Sequence, residues 1–140
     1  MSGYDWSTDN LLRQLHDGAL HEVLQNDASL PPFSEHIAQM CLDRGEARGR
    51  VIRRAGIERG YGYQLFNGTR KPSRDKVIQL AFGFALDAEQ TQRLLKAAQQ
   101  SQLVPQIKRD AAILYGIMHG LDINEVQKLL ERFSMPTLGG

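Results

Sequence analysis

Residues 73–103, SRDKVIQLAFGFALDAEQTQRLLKAAQQSQL, align without a gap to residues 108–138, KRDAAILYGIMHGLDINEVQKLLERFSMPTL, at an offset of 35. Identities fall at Arg74/Arg109, Asp75/Asp110, Ile78/Ile113, Leu86/Leu121, Asp87/Asp122, Gln92/Gln127, Leu94/Leu129, Leu95/Leu130 and Leu103/Leu138. Each copy reads as two helices meeting at a Leu-Asp corner. Asp87 with Gln90, and Asp122 with Glu125, have the spacing of a capping box, in which side chain and backbone satisfy each other's exposed donors. Leu94, Leu95 and Ala98 in one copy, and Leu129, Leu130 and Phe133 in the other, supply buried faces. A period of this length suggests a stacked helical array, but such arrays need about three copies, and no third lies upstream. The expectation is a duplicated helical hairpin that pads one core.

The rest of the chain is also helical in pattern. No stretch alternates with the period of a half-buried strand, whereas apolar residues recur at helical spacing throughout. Leu11, Leu12, Leu15, Ala19, Val23 and Leu24 form one stripe, with Ser7 or Thr8 as N-cap, predicting a helix over about 7–26 that ends before Pro31-Pro32. Ile37, Met40 and Cys41 form a second stripe, opened by Ser34 and closed by Gly45. Two short helices follow, Ala47–Ala55 and Glu58–Phe66, separated by a turn at Gly56. Asn67-Gly68 is a turn dipeptide that tolerates positive φ, and Pro72-Ser73 opens the next helix. The expected organisation is an N-terminal helix and linker over 1–33, a five-helix domain over 34–103 and a C-terminal hairpin over 104–140 packed on it. The class is all-α, with seven or eight helices.

The formal net charge of +1 conceals a segregation. Between Arg44 and Lys76, ten basic side chains face three acidic ones, a local excess of +7, while the other residues sum to −6. Charge separated this way marks a surface facing a polyanion. Catalysis is not expected. His16, His21, His36 and His119 match no metal-binding spacing, Cys41 sits on an apolar stripe as a small core residue, and no nucleophile elbow or phosphate-binding loop is present. No cofactor is expected. A single cysteine excludes an internal disulfide, no apolar run reaches the length of a membrane span, and the first residues lack the pattern of a secretory signal. The expected location is the cytoplasm, with no membrane partner.

The layout of residues 47–66 is that of a helix-turn-helix, whose second helix enters the major groove while the first lies across the phosphate backbone. The segment VIRRAGIERGYGYQLFNGTRKPSRDKVIQLAFGFAL, residues 51–86, resembles the Xre/Cro-type helix-turn-helix of phage repressors and bacterial regulators. The matching positions are Val51, Gly56, Leu65, Asn67, Gly68, Arg70, Lys71 and Pro72, then Val77, Leu80 and Ala81, and the resemblance covers about residues 35–99. It implies a lambda-repressor-like five-helix domain that binds duplex DNA as a transcriptional regulator and commonly dimerises on two half-sites, here through the terminal hairpin. Carried over by position, it places Arg59, Gly60 and Gln64 at base edges. Gln64 is suited to an adenine edge and Arg59 to a guanine. Arg48, Arg50, Tyr63, Asn67, Arg70, Lys71 and Arg74 fall at the DNA backbone, where contacts fix register without carrying sequence information.

Three positions depart from the family pattern. Ile52 stands where the family favours alanine, predicting that the two helices cannot approach as closely. Gly62 takes a usual apolar core position, and Phe66 replaces a frequent glutamate. Two glycines in one short helix cost about 1 kcal/mol each relative to alanine. Arg74 and Asp75 recur as Arg109 and Asp110 in a copy without basic surroundings, which points to a shared structural duty beside any DNA contact by Arg74. The alternative reading of the whole chain is a degenerate helix-turn-helix serving as a helical adaptor, holding a protein partner through its C-terminal hairpins. The exposed-looking Tyr4 and Trp6 favour that alternative.

Overall fold

The computed structural model describes residues 8–18, 20–25 and 32–139. Among them are nine helices and no strand: α1 (Thr8–His16), α2 (Leu20–Gln25), α3 (Phe33–Arg44), α4 (Arg48–Arg54), α5 (Arg59–Asn67), α6 (Arg74–Gly83), α7 (Ala88–Ala97), α8 (Lys108–Met118) and α9 (Ile123–Arg132). The all-α expectation holds. The chain divides between residues 31 and 32 into two compact units. No described helix is long and apolar enough to cross a membrane.

In the first unit the single helix expected over 7–26 is two helices. Gly18, at φ 82°, breaks the run in the left-handed region, where a glycine carries no Cβ penalty. The α1 and α2 pieces pack on each other, and α1 buries none of its side chains. Ser7, Tyr4 and Trp6 lie outside the described residues.

The second unit has one continuous core. Ile37 and Cys41 of α3, Val51 and Ile52 of α4, and Leu65 and Phe66 of α5 join Val77, Ile78, Leu80 and Ala81 of α6 and Leu94 and Leu95 of α7. Leu103, Ile113, Ile123, Val126, Leu130 and Leu138 belong to the same cluster. The C-terminal hairpin therefore completes the core of the preceding helices. Pro32, not Ser34, occupies the N-cap of α3. The Asp87 and Asp122 capping boxes form as the spacing predicts.

The duplication is reproduced in detail. Ala85 and Gly120 occupy equivalent places after α6 and α8, both with positive φ, as do Gln99 and Ser134 after α7 and α9. The C-terminal hydrogen bonds match by the same offset: Ala85 N–H to Phe82 O and Leu86 N–H to Ala81 O, against Gly120 N–H to Ile117 O and Leu121 N–H to Gly116 O. Gln92 grips the backbone N–H and C=O of Leu103, and Gln127 grips those of Leu138.

The two copies are related reciprocally. Arg74 binds the carbonyls of Ser101 and Gln102 at the end of its own copy and reaches Asp110 of the other at 2.8 Å. Arg109 binds the carbonyls of Pro136 and Thr137 and reaches Asp75 at 2.9 Å. Packing follows suit, α6 against α9 and α7 against α8. In a stacked array each copy would pass its contact forward to a third. Here the exchange closes on itself, as in an isologous dimer, which explains why two copies suffice.

Candidate nucleic-acid interface

The basic segment folds as α4, the Gly56 turn and α5, with α3 and α6 behind. α4 packs on α5 and α6, and α3 packs on α5. Gly56 has φ 69°, and Ile57 N–H returns to Ile52 O at 3.3 Å to close the turn. Gln79 of α6, 2% exposed, donates from Nε2 to the carbonyls of Ala55 and Gly56 at 3.3 and 3.4 Å, while its Oε1 accepts from Lys76 Nζ at 3.1 Å. A buried amide of α6 thus holds the carbonyl end of α4.

Where the sequence has Ile52 limiting the approach of α4 to α5, the structure packs Ile52 directly over Gly62. A Cβ on Gly62 would lie 2.4 Å from Ile52 Cγ2 and 2.7 Å from Ile52 Cγ1, so Ile52 fills the space that Gly62 vacates. Phe66 is also a core residue, with the Arg48 guanidinium 5.5 Å from its ring centroid.

Glu58 caps α5, its carboxylate accepting from Gly60 N–H at 2.9 Å and Tyr61 N–H at 2.8 Å. The Tyr61 bond, then that from Gly60, holds the Glu58 carboxyl below the usual range. This cap offsets part of the cost of two helical glycines by satisfying donors the first turn leaves open. Gly62, Leu65 and Phe66 face the core. Arg59, Gly60, Tyr63, Gln64 and Asn67 share the exposed face, and all five were singled out from the sequence.

These side chains differ in their freedom. The Arg59 guanidinium lies 5.8 Å from the Tyr63 ring centroid, and Tyr63 Oη sits where a Cβ on Gly49 would be 3.0 Å away. Asn67 Oδ1 accepts from the Thr69 N–H at 3.0 Å and hydroxyl at 2.7 Å, shaping the turn that Gly68 completes at φ 83°. Gln64 Oε1 accepts from Arg70 Nε at 2.8 Å. Arg50 and Lys71 are exposed and make no ion pair among the described residues. Arg54 pairs with Glu46.

Arg74 stands apart from the set. Its guanidinium is committed to Asp110 and two carbonyls, the structural duty that its recurrence as Arg109 predicts. Burial pushes the Asp110 carboxyl up, but Arg74 and the Val104 N–H outweigh it and hold it below the ordinary range. At Asp75 burial is likewise outweighed, by Arg109 and the Gly139 N–H.

Sequence reasoning missed Glu58 as a cap, Gln79 as a clasp and the two cations on Tyr61, where Arg70 and Lys76 lie 4.4 and 5.1 Å from the centroid. An acid directly before the Arg59 helix was the available sign for Glu58. Cys41 is in the core, where burial pushes its thiol up. Among the described residues no group of three or more His, Cys, Asp or Glu side chains is placed to hold a metal ion. Comparison with protein-family models, with curated proteins and with solved structures gave no match.

Proposed function

We propose that the chain is a non-enzymatic, sequence-specific duplex-DNA-binding regulator, with α4 and α5 as a lambda-repressor-like helix-turn-helix of the Xre/Cro type. The observation that carries this reading is the face of α5. Arg59, Gly60, Tyr63, Gln64 and Asn67 are exposed together, flanked by Arg48, Arg50, Arg70 and Lys71. A helix of this size fits the major groove, and its outward side chains reach base edges while neighbouring cations meet phosphates. Arg74 is left out because its donors are already engaged.

The test is fluorescence anisotropy with duplex DNA at low and physiological salt, using cytoplasmic conditions. Binding whose logarithm falls steeply with the logarithm of salt concentration is expected, because neutralised phosphates release counterions. A folded, helical sample that binds no duplex at low salt overturns the reading.

A second reading is favoured by the outer face of the C-terminal hairpin. Ile107 at the N-cap of α8 and Tyr115 and Met118 in its last turn are each more than half exposed, as a surface for a second copy or a helical partner would be. Because Ile113 and Leu130 of the hairpin complete the core, deleting it would unfold the chain. The usable probe is Tyr115→Lys with Met118→Lys. Loss of self-association or of a protein partner, with DNA binding retained, would support the adaptor surface.

A further inference from the structure

We infer that Arg70, and not Gln64, is a sequence-reading residue of this interface, that it reads guanine, and that Gln64 and Tyr61 position it. The inference rests on the duplex-DNA reading above and assigns Arg70 a different part from the phosphate contact its place after α5 suggests.

The backbone turns at Asn67-Gly68, and Arg70 N–H returns to Gln64 O at 3.3 Å. The side chain then runs back along α5. Its Nε donates to Gln64 Oε1 at 2.8 Å, and its Cζ lies 4.4 Å from the Tyr61 ring centroid. Tyr61 and Gln64 are three residues apart and so neighbours on the helix surface. The guanidinium is therefore fixed beside Gln64, at the Tyr61 edge of the exposed face of α5. With Nε taken by Gln64, Nη1 and Nη2 make no hydrogen bond among the described residues. They form a free end-on fork of the kind that meets guanine O6 and N7 together. Stacking on Tyr61 holds the plane of that fork, so little side-chain freedom remains to be lost on binding.

The same bond argues against Gln64 as an adenine reader. A two-point adenine contact needs Oε1 to accept from N6–H while Nε2 donates to N7. One lone pair of Oε1 is already taken by Arg70, and that bond fixes the direction of the amide, which an adenine contact would have to re-aim. Gln64 acts through Arg70, as a positioning residue.

The test begins with selection of preferred duplexes from a random pool by the full chain, followed by titration of the preferred and a scrambled duplex. Arg70→Ala is expected to weaken the preferred duplex by about tenfold or more and the scrambled one far less. Replacing one guanine by 7-deazaguanine, which lacks the N7 acceptor but keeps O6, should weaken the wild type by less than Arg70→Ala does and leave Arg70→Ala unchanged. Gln64→Ala should lower the discrimination between the two duplexes, and Gln64→Glu, which keeps an acceptor for Nε, should restore it. Equal losses on both duplexes for Arg70→Ala, or 7-deazaguanine insensitivity at every position, would overturn the guanine assignment while leaving DNA binding intact. Absence of binding to any duplex would overturn the DNA reading, and this inference with it. Circular dichroism of each variant separates these outcomes from unfolding, since Arg70 and Gln64 are both exposed.

Discussion

Ile52 occupies the volume that a side chain at position 62 would need, its Cγ2 only 2.4 Å from the place of a Gly62 Cβ. Two of the three departures from the resembled pattern, Ile52 and Gly62, are thus one compensated exchange, a large residue on α4 against none on α5. Gly62→Ala should destabilise by about 1–3 kcal/mol through overpacking, and Ile52→Ala by about 2–5 kcal/mol through the cavity it leaves. The double variant should be more stable than the sum of the two losses predicts, by more than about 1 kcal/mol, because each change relieves the other. Urea unfolding followed by circular dichroism measures all three. Additive losses would mean that Ile52 does not fill the place of the missing side chain.

The Arg74–Asp110 and Arg109–Asp75 pairs close the duplicated hairpins, yet they are not equal. The Asp110 side chain is 2% exposed and that of Asp75 26%. Removing one partner of a well-buried pair leaves the other uncompensated, at a cost of about 3–5 kcal/mol. Arg74→Ala, which strands the buried Asp110 carboxylate, should therefore cost about 3 kcal/mol, and Arg109→Ala, which leaves the more exposed Asp75, distinctly less. Thermal or chemical denaturation ranks them, and the reverse order would contradict the burial argument.

Acid should destabilise the second unit through these same carboxylates. Asp75, Asp110 and Glu58 all have carboxyls held below their ordinary range in the folded state. A depressed pKa contributes stability that is present above the unfolded value, near 4, and is lost as pH falls through the folded one. Melting temperature should be flat from about pH 7 to 5 in this respect and fall below about pH 4. Asp110→Asn should flatten that acid limb. A limb of unchanged steepness in the variant would remove Asp110 from the account.

Ala85 and Gly120 hold the same left-handed position in the two copies, at φ 54° and 67°. A left-handed alanine costs about 1–2 kcal/mol, so Ala85→Gly should stabilise by up to about 1 kcal/mol once the unfolded-state entropy of glycine is counted. Nothing lies within 4 Å of a Cβ placed on Gly120. Gly120→Ala should therefore lose about 1 kcal/mol from backbone strain alone. Guanidinium titrations of the two variants should move in opposite directions.

The exposed cations on either side of α5 provide a test independent of base reading. Lys71→Ala and Arg50→Ala should each weaken preferred and scrambled duplexes alike and reduce the salt slope by about one. Arg74→Ala should instead lower stability, since its guanidinium serves Asp110. A normal melting temperature with a reduced salt slope for Arg74→Ala would return it to the DNA contacts.

Elements whose signals are local were legible. The duplicated hairpins followed from a gapless offset, the capping boxes from spacing within one turn, and the Gly56 and Asn67-Gly68 turns from residues that admit positive φ. The exposed set on α5 was named through the resemblance to the Xre/Cro-type helix-turn-helix, position by position. The N-terminal stripe misled because its apolar spacing runs through Gly18, and a conformation available chiefly to glycine is not visible in an apolar pattern. Glu58 was passed over as an offsetting acid because its role depends on where the helix begins within a residue.

By itself, the sequence determined the helical class, the repeat and the basic segment, all properties of neighbours along the chain or of side chains summed by position. Tertiary structure alone decided that Ile52 answers Gly62, that Gln79 clasps the end of α4, that Arg74 belongs to Asp110, and that Gln64 is tied to Arg70. The first three depend on which surfaces of separate helices meet. The last depends on a turn that brings a side chain back over its own helix. Distance along the chain carries no information about those meetings, because packing and hydrogen bonding act through space over a few ångströms.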